Sequence, residues 1–242
     1  MIRLLKYELK RLMMNRFFFG LLVVTALSCY QIMSGDIILG VANTAPFSGW
    51  SYGAYLSKVL PILLVALLFF ISLLYSKRER KVEVLTEVTP VDRFRFRLLR
   101  YGAIIIAYLV IFVLPIGVAG YFYGAWFHFT AFGTLIMPTL LTCLPSMLFF
   151  LGLGLLAGRV YPALVFALMP VVLLLGYLPL PYELDLFGSH FFSSYPAGLS
   201  VIEPAFEVPL SIIIGRCVYA LIGLFLIAAS AISKPKRFRI AC

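Results

Sequence analysis

"KVLPILLVALLFFISLLYSKRERKVEVLTEVTPVDRF", residues 58–94, changes character halfway along, and that change decides the fold. From Val59 to Ser76 it is an apolar run of about the 20 residues that a helix needs to cross a bilayer. From Lys77 onward it is basic and acidic, until apolar sequence resumes near Tyr101. Five more apolar runs flank it, at approximately 17–33, 101–124, 132–157, 160–179 and 209–232, bordered by charges or prolines. Across 242 residues the chain is 63% hydrophobic and 12% charged, which leaves too little polar surface to cover a soluble core. The expected class is an all-α polytopic membrane protein, a single transmembrane domain over residues 1–242 with six membrane-crossing helices counting 58–76.

The basic residues set the expected orientation. Arg3, Lys6, Lys10, Arg11 and Arg16 precede the first run, and Lys77, Arg78, Arg80, Lys81, Arg93, Arg95, Arg97 and Arg100 follow the second. Arg159 lies in the short turn "GRVYP" (158–162), and Lys234, Lys236, Arg237 and Arg239 follow the last run. Six crossings put all of these on one side, leaving Lys58 and Arg216 as the only 2 of the 20 basic residues elsewhere. Positive-inside bias then places both termini in the cytoplasm of a multi-pass cell-membrane protein. The net charge of +10 is thereby accounted for by topology and attraction to anionic membrane lipids, with no nucleic-acid partner required.

The N-terminal residues 1–16 are read as an amphipathic helix at the inner interface rather than a cleaved leader. Ile2, Leu5, Leu9, Leu12 and Met13 fall on one arc at 100° per residue, with Arg3, Lys6, Lys10 and Arg11 outside it. The apolar arc is expected in the acyl boundary; a plain basic topology anchor would carry the same charges. On the opposite side, residues 34–58 read as a short connection, and "YFYGAWFHF" (121–129) as an interfacial aromatic belt. Residues 177–209, punctuated by proline and rich in aromatics, suit short helices that dip into the outer leaflet and return.

The loop 77–100 carries the most specific signals. Thr89, Pro90 and Asp92 form a capping pattern: a Thr cap, Pro in the first helical position and an acid three residues after the cap. A helix is therefore predicted from Pro90 straight into the third run, with Arg93, Arg97 and Arg100 on one side snorkelling to headgroups. Upstream, Glu79, Glu83 and Glu87 make an acidic stripe beside an apolar strip of Val82, Leu85 and Val88. Apolar side chains kept at an exposed surface suggest docking, although a solvated charged hairpin would use similar residues.

The order of these parts resembles the membrane subunit of type-2 ATP-binding-cassette exporters. Glu79, Leu85, Thr89, Pro90, Val91 and Arg93 match that family's E-x5-L-x3-T-P-V-x-R pattern between the second and third spans, although Arg80-Lys81-Val82 stands where the family often has Gly-Thr. The resemblance implies a coupling helix seated in a cleft of a separate ATPase subunit that carries ATP and Mg, with Val82, Glu83, Leu85, Glu87, Val88, Thr89, Pro90, Asp92 and Arg93 at the docking surface. It also implies a second permease chain, identical or related, around a common pathway. The apolar, aromatic outer loops favour an amphiphilic substrate such as a drug, lipid or peptide.

Other chemistries find few residues. No G-x-x-x-x-G-K-[S/T] occurs, so the chain is not expected to bind ATP itself, nor to be an enzyme. His128 and His190 are isolated, the predicted spans hold no carboxylate, and Cys29, Cys143, Cys217 and Cys242 lack a metal or disulfide spacing. Gly117, Gly120, Gly124, Gly154 and Gly158 read as small faces for close helix contact, within the chain or across a dimer. Arg216, seven residues into the last run, is either a residue of the outer pathway or a partner of Glu203, Glu207 or lipid phosphate. A different class, a non-transporting scaffold or sensor subunit recruiting cytoplasmic partners, shares this topology.

Overall fold

A computed structural model describes residues 2–41, 44–76, 93–199, 201 and 203–232. Helix α1 (Ile2–Met13) is followed by α2 (Arg16–Ile32), which is started by Asn15 accepting from the Phe17 N–H at 3.3 Å. A π-helical turn, Met33–Ile37, extends α2. The remaining α-helices among the described residues are α3 (Gly49–Leu74), α4 (Arg93–Phe127), α5 (Ile136–Val160), α6 (Pro162–Leu175), α7 (Ser189–Ser194) and α8 (Leu210–Ile232). Among the described residues there is no strand. Among the described residues five helical stretches are long and apolar enough to cross a membrane: Arg16–Ile37, Gly49–Leu74, Phe94–Phe127, Phe132–Val160 and Leu210–Ile232.

The centre of the bundle is α3, which packs against α2, α4, α5, α6 and α7. It begins at Gly49, nine residues before the predicted start at Lys58. Two local features explain the extension. Ser48 caps the helix by accepting from the Ser51 N–H at 3.2 Å, and Lys58 is accommodated because its Nζ pairs with Asp36 of the π turn at 2.8 Å. What reads as a connection in sequence is therefore two further helical turns whose Trp50, Tyr52 and Tyr55 are buried.

Helix α4 has 35 residues, about 52 Å at 1.5 Å per residue, against about 30 Å of hydrocarbon. Its basic first turns therefore have length to spare beyond the apolar stretch. Its described start, Arg93, lies three residues past the predicted Pro90; the capping residues Thr89–Asp92 are outside the described residues. Tyr121 and Trp126 are exposed as an aromatic belt requires, whereas Phe122 and Tyr123 of the same stretch turn inward.

One extended residue, Tyr161 (φ −155°, ψ 120°), separates α5 from α6. With 14 residues, α6 is shorter than the predicted 160–179, and the prolines at 179 and 181 follow its end. It stops beside the middle of α3, where Gly176 meets the Pro61 ring. Beyond it the chain continues as turns to the far end of α3. There α7 and Tyr195, which leads into the 3₁₀ turn Pro196–Gly198, pack over Trp50; among the described residues α7 is the one short α-helix where several were expected.

Helices α5 and α8 meet backbone to backbone. A Cβ at Gly152 would sit 2.5 Å from the Gly223 carbonyl oxygen, and one at Gly223 would sit 2.4 Å from the Leu148 carbonyl carbon. Gly154 receives Ile71 and Leu68, and Gly158 receives the Tyr75 ring, so the small face of α5 is filled within the chain. The corresponding glycines of α4, at 117, 120 and 124, face nothing within 4 Å.

Candidate functional site

The two ends of the bundle are built differently. At the basic end, the C-terminus of α8 is met by cations. Arg97 Nη1 donates to the Ala231 carbonyl at 2.9 Å, and Arg159 Nη1 donates to that of Ser230. Guanidinium groups on the last carbonyls of a helix satisfy acceptors that lack intrahelical donors and complement the helix dipole. The Ser230 hydroxyl bonds the Tyr101 hydroxyl at 3.3 Å, and Tyr75 donates to the Leu155 carbonyl at 2.8 Å. Arg100 lies 3.6 Å from Glu8 and over the Phe96 ring. Arg97 and Arg100 thus serve protein partners where sequence reasoning sent them to headgroups, because α1 and α8 bring acceptors within reach.

Of the predicted docking surface, Val82, Glu83, Leu85, Glu87, Val88, Thr89, Pro90 and Asp92 lie outside the described residues, and Arg93 is the first residue of α4. What is described is the pair of helices the loop joins. One is α3, the most buried of the long helices, and the other is α4, which packs along it.

The opposite end is aromatic. Trp50 has Phe206, Phe191 and Tyr195 at centroid distances of 5.0, 5.5 and 5.6 Å, and its Nε1 donates to the Pro204 carbonyl at 3.1 Å. Below it lies Asp185, 3% exposed, whose carboxylate accepts from the N–H groups of Gly188 (2.8 Å), His190 (2.8 Å) and Phe191 (3.3 Å). Arg216, 4% exposed, feels the charge of this carboxylate, and neither Nη1 nor Nη2 has a hydrogen-bond partner among the described residues. Gly188 makes room for it: a Cβ there would lie 3.0 Å from Arg216 Nη2.

The expected pairing of Arg216 with Glu203 or Glu207 is not what the chain builds. Both glutamates are exposed while Arg216 is buried, and Asp185 is the carboxylate turned inward. Sequence reasoning passed over Asp185 because its burial depends on how 177–209 folds back. A cavity of about 200 Å³ adjoins it, between Phe149, Leu175, Leu180, Leu184, Phe187 and Tyr219. His190 is occupied locally, its Nδ1 3.0 Å from the Ser194 hydroxyl.

A third polar feature was not foreseen. Tyr52 and Tyr55 of α3 and Tyr108 and Tyr123 of α4 are all buried. Tyr55 donates to the Pro115 carbonyl at 3.1 Å, and Tyr52 receives the Thr139 hydroxyl at 3.1 Å. The hydroxyls of Tyr108 and Tyr123 have no partner among the described residues. The spacing of Tyr52 and Tyr55, on one side of a helix, was the available signal; it was hidden by taking 34–58 as a connection.

No family model matches the chain, and no curated protein or solved structure is significantly similar to it.

Proposed function

We propose that the chain is the permease subunit of an ATP-driven exporter of the type-2 ATP-binding-cassette kind, working with a separate ATPase that binds ATP and Mg. The observation that carries this reading is that α3 and α4, which the 77–92 loop of the sequence joins, pack against each other. One root is the helix that packs against five others, and the other is a 35-residue rod. A force applied to such a loop enters the bundle at its centre rather than at its edge. The match of Glu79, Leu85, Thr89, Pro90, Val91 and Arg93 to the coupling pattern supplies the partner that would apply it.

Six crossings belong to this proposal. Five long helices alone would put the termini on opposite sides, against the charge distribution. The sixth passage is α6 together with the turns that follow it. They run from the Arg159 end of α5, past Pro61, to Trp50 at the far end of α3. Irregular backbone at that depth is tolerated where protein covers it. The basic end is then cytoplasmic and the aromatic end outside. The open glycines of α4 offer a face for the second permease chain. Arg216 and Asp185 lie buried at the outer end of the pathway, and the apolar cavity beside Asp185 suits an amphiphile.

The reading is tested at the loop. Leu85→Asp or Val88→Asp should abolish co-purification of the chain with an ATPase while membrane insertion continues. Persistence of the complex, or an ATPase whose turnover ignores the presence of this subunit, favours a scaffold and ends the transport reading. Arg216→Gln that leaves transport unchanged in an intact complex removes Arg216 from the pathway.

A further inference from the structure

Helix α1 is amphipathic, and its apolar face is not where a peripheral helix would put it. Leu12 is 1% exposed, and Leu5, Leu9 and Met13 pack against the buried core. The face is occupied by protein, with α1 lying chiefly along α4. Glu8, the sole acid of α1, points the same way: its side chain is 6% exposed, 3.1 Å from Arg11 and 3.6 Å from Arg100 of α4. A carboxylate withdrawn this far from water is held by its cations, and removing any one member leaves a poorly solvated charge.

Turning Glu8 inward has a second effect. The outward arc of α1 carries Arg3, Lys6 and Lys10 together with Tyr7 and Met14, all exposed, and no acid. Only two residues separate α1 from α2, a helix apolar and long enough to cross a bilayer, so this arc lies at headgroup level. A surface of three cations around an exposed tyrosine fits an anionic phospholipid: ammonium and guanidinium groups at the phosphates, with the ring in the interface.

We propose that α1 is an anionic-phospholipid-binding helix clamped to α4 by the buried carboxylate of Glu8, so that lipid charge in the adjacent leaflet is transmitted to the basic end of α4. The inference uses only α1, α4 and lipid, and stands or falls apart from the transport reading. Lipid held by the outward arc and protein held by the inward arc then act on opposite sides of one short helix.

The test is amide hydrogen exchange of residues 2–13 in the full chain. The chain is reconstituted in nanodiscs of phosphatidylcholine alone or of phosphatidylcholine and phosphatidylglycerol in equal amounts. Wild type should be protected in both and exchange several-fold more slowly with phosphatidylglycerol. A triple R3Q, K6Q, K10Q variant should keep its protection in phosphatidylcholine and lose the response to phosphatidylglycerol. Glu8→Gln should exchange about tenfold faster in phosphatidylcholine with α5 and α8 unchanged, and the charge exchange E8R with R100E should restore protection.

A wild-type helix indifferent to phosphatidylglycerol, or a triple variant that still responds, overturns the lipid surface. An E8Q helix as protected as wild type, or a folded exchange variant that stays unprotected, overturns the clamp. Carbodiimide labelling of the unmodified protein decides the clamp without any variant. Glu8, 6% exposed, should react far more slowly than Asp36, 56% exposed, and equal rates refute it.

Discussion

At one end of this bundle a helix terminus is held by cations on carbonyls, and at the other a tryptophan is enclosed by rings. Arg97 and Arg159 reach the last turn of α8 from the first turns of α4 and the last turn of α5, each making a directional contact with a single carbonyl. Trp50 buries its whole surface against Phe191, Tyr195 and Phe206 of a distant stretch of chain, an arrangement with no substitute once the indole is gone. The difference teaches that the charged end tolerates single changes, whereas the aromatic end depends on a few positions.

That contrast can be broken most forcefully at Trp50. Trp50→Ala should cost about 3–5 kcal/mol, with protease cutting appearing in 177–209 while α5 and α8 remain protected. Next in size is Gly53, where a Cβ would come within 2.4 Å of the buried Phe192 ring. Gly53→Ala should destabilise by about 1–3 kcal/mol, read as a lowered midpoint in a denaturant or thermal scan. At the basic end, Arg97→Gln should lower stability by about 1 kcal/mol or less, the scale of one cation at a helix C-terminus. The smallest effect belongs to α4. Gly117→Ala meets nothing within 4 Å and should be neutral or stabilising by up to about 1 kcal/mol in the isolated chain. A large loss at Arg97 or a small one at Trp50 would invert the comparison; a large loss at Gly117 only in an assembled complex would sharpen it, by showing that this face meets the proposed second chain.

Much of the fold was legible because lipid-length apolar runs and their basic borders are read one residue at a time. The first, third, fourth and sixth runs correspond to α2, α4, α5 and α8 within a few residues, apart from extensions of α4 at its basic start. What escaped depended on partners far away in sequence. Lys58 set the start of the second run on paper, yet Asp36 on another element lets it lie inside the helix. The apolar arc of α1 was assigned to lipid by periodicity, which cannot tell lipid from a neighbouring helix. Asp185 was one acid among several in a loop until the fold turned it inward and the others outward. The proposed docking residues were legible in the opposite sense: their spacing is explicit in sequence, and all but Arg93 lie outside the described residues.

The single residue between α5 and α6 has a mechanical consequence. One extended residue reaches under about 4 Å, so those two rods are stapled at the Arg159 end in every conformation the chain adopts. Sliding of one along the other is forbidden; only a scissor-like opening, widest at the remote tips, is left to them.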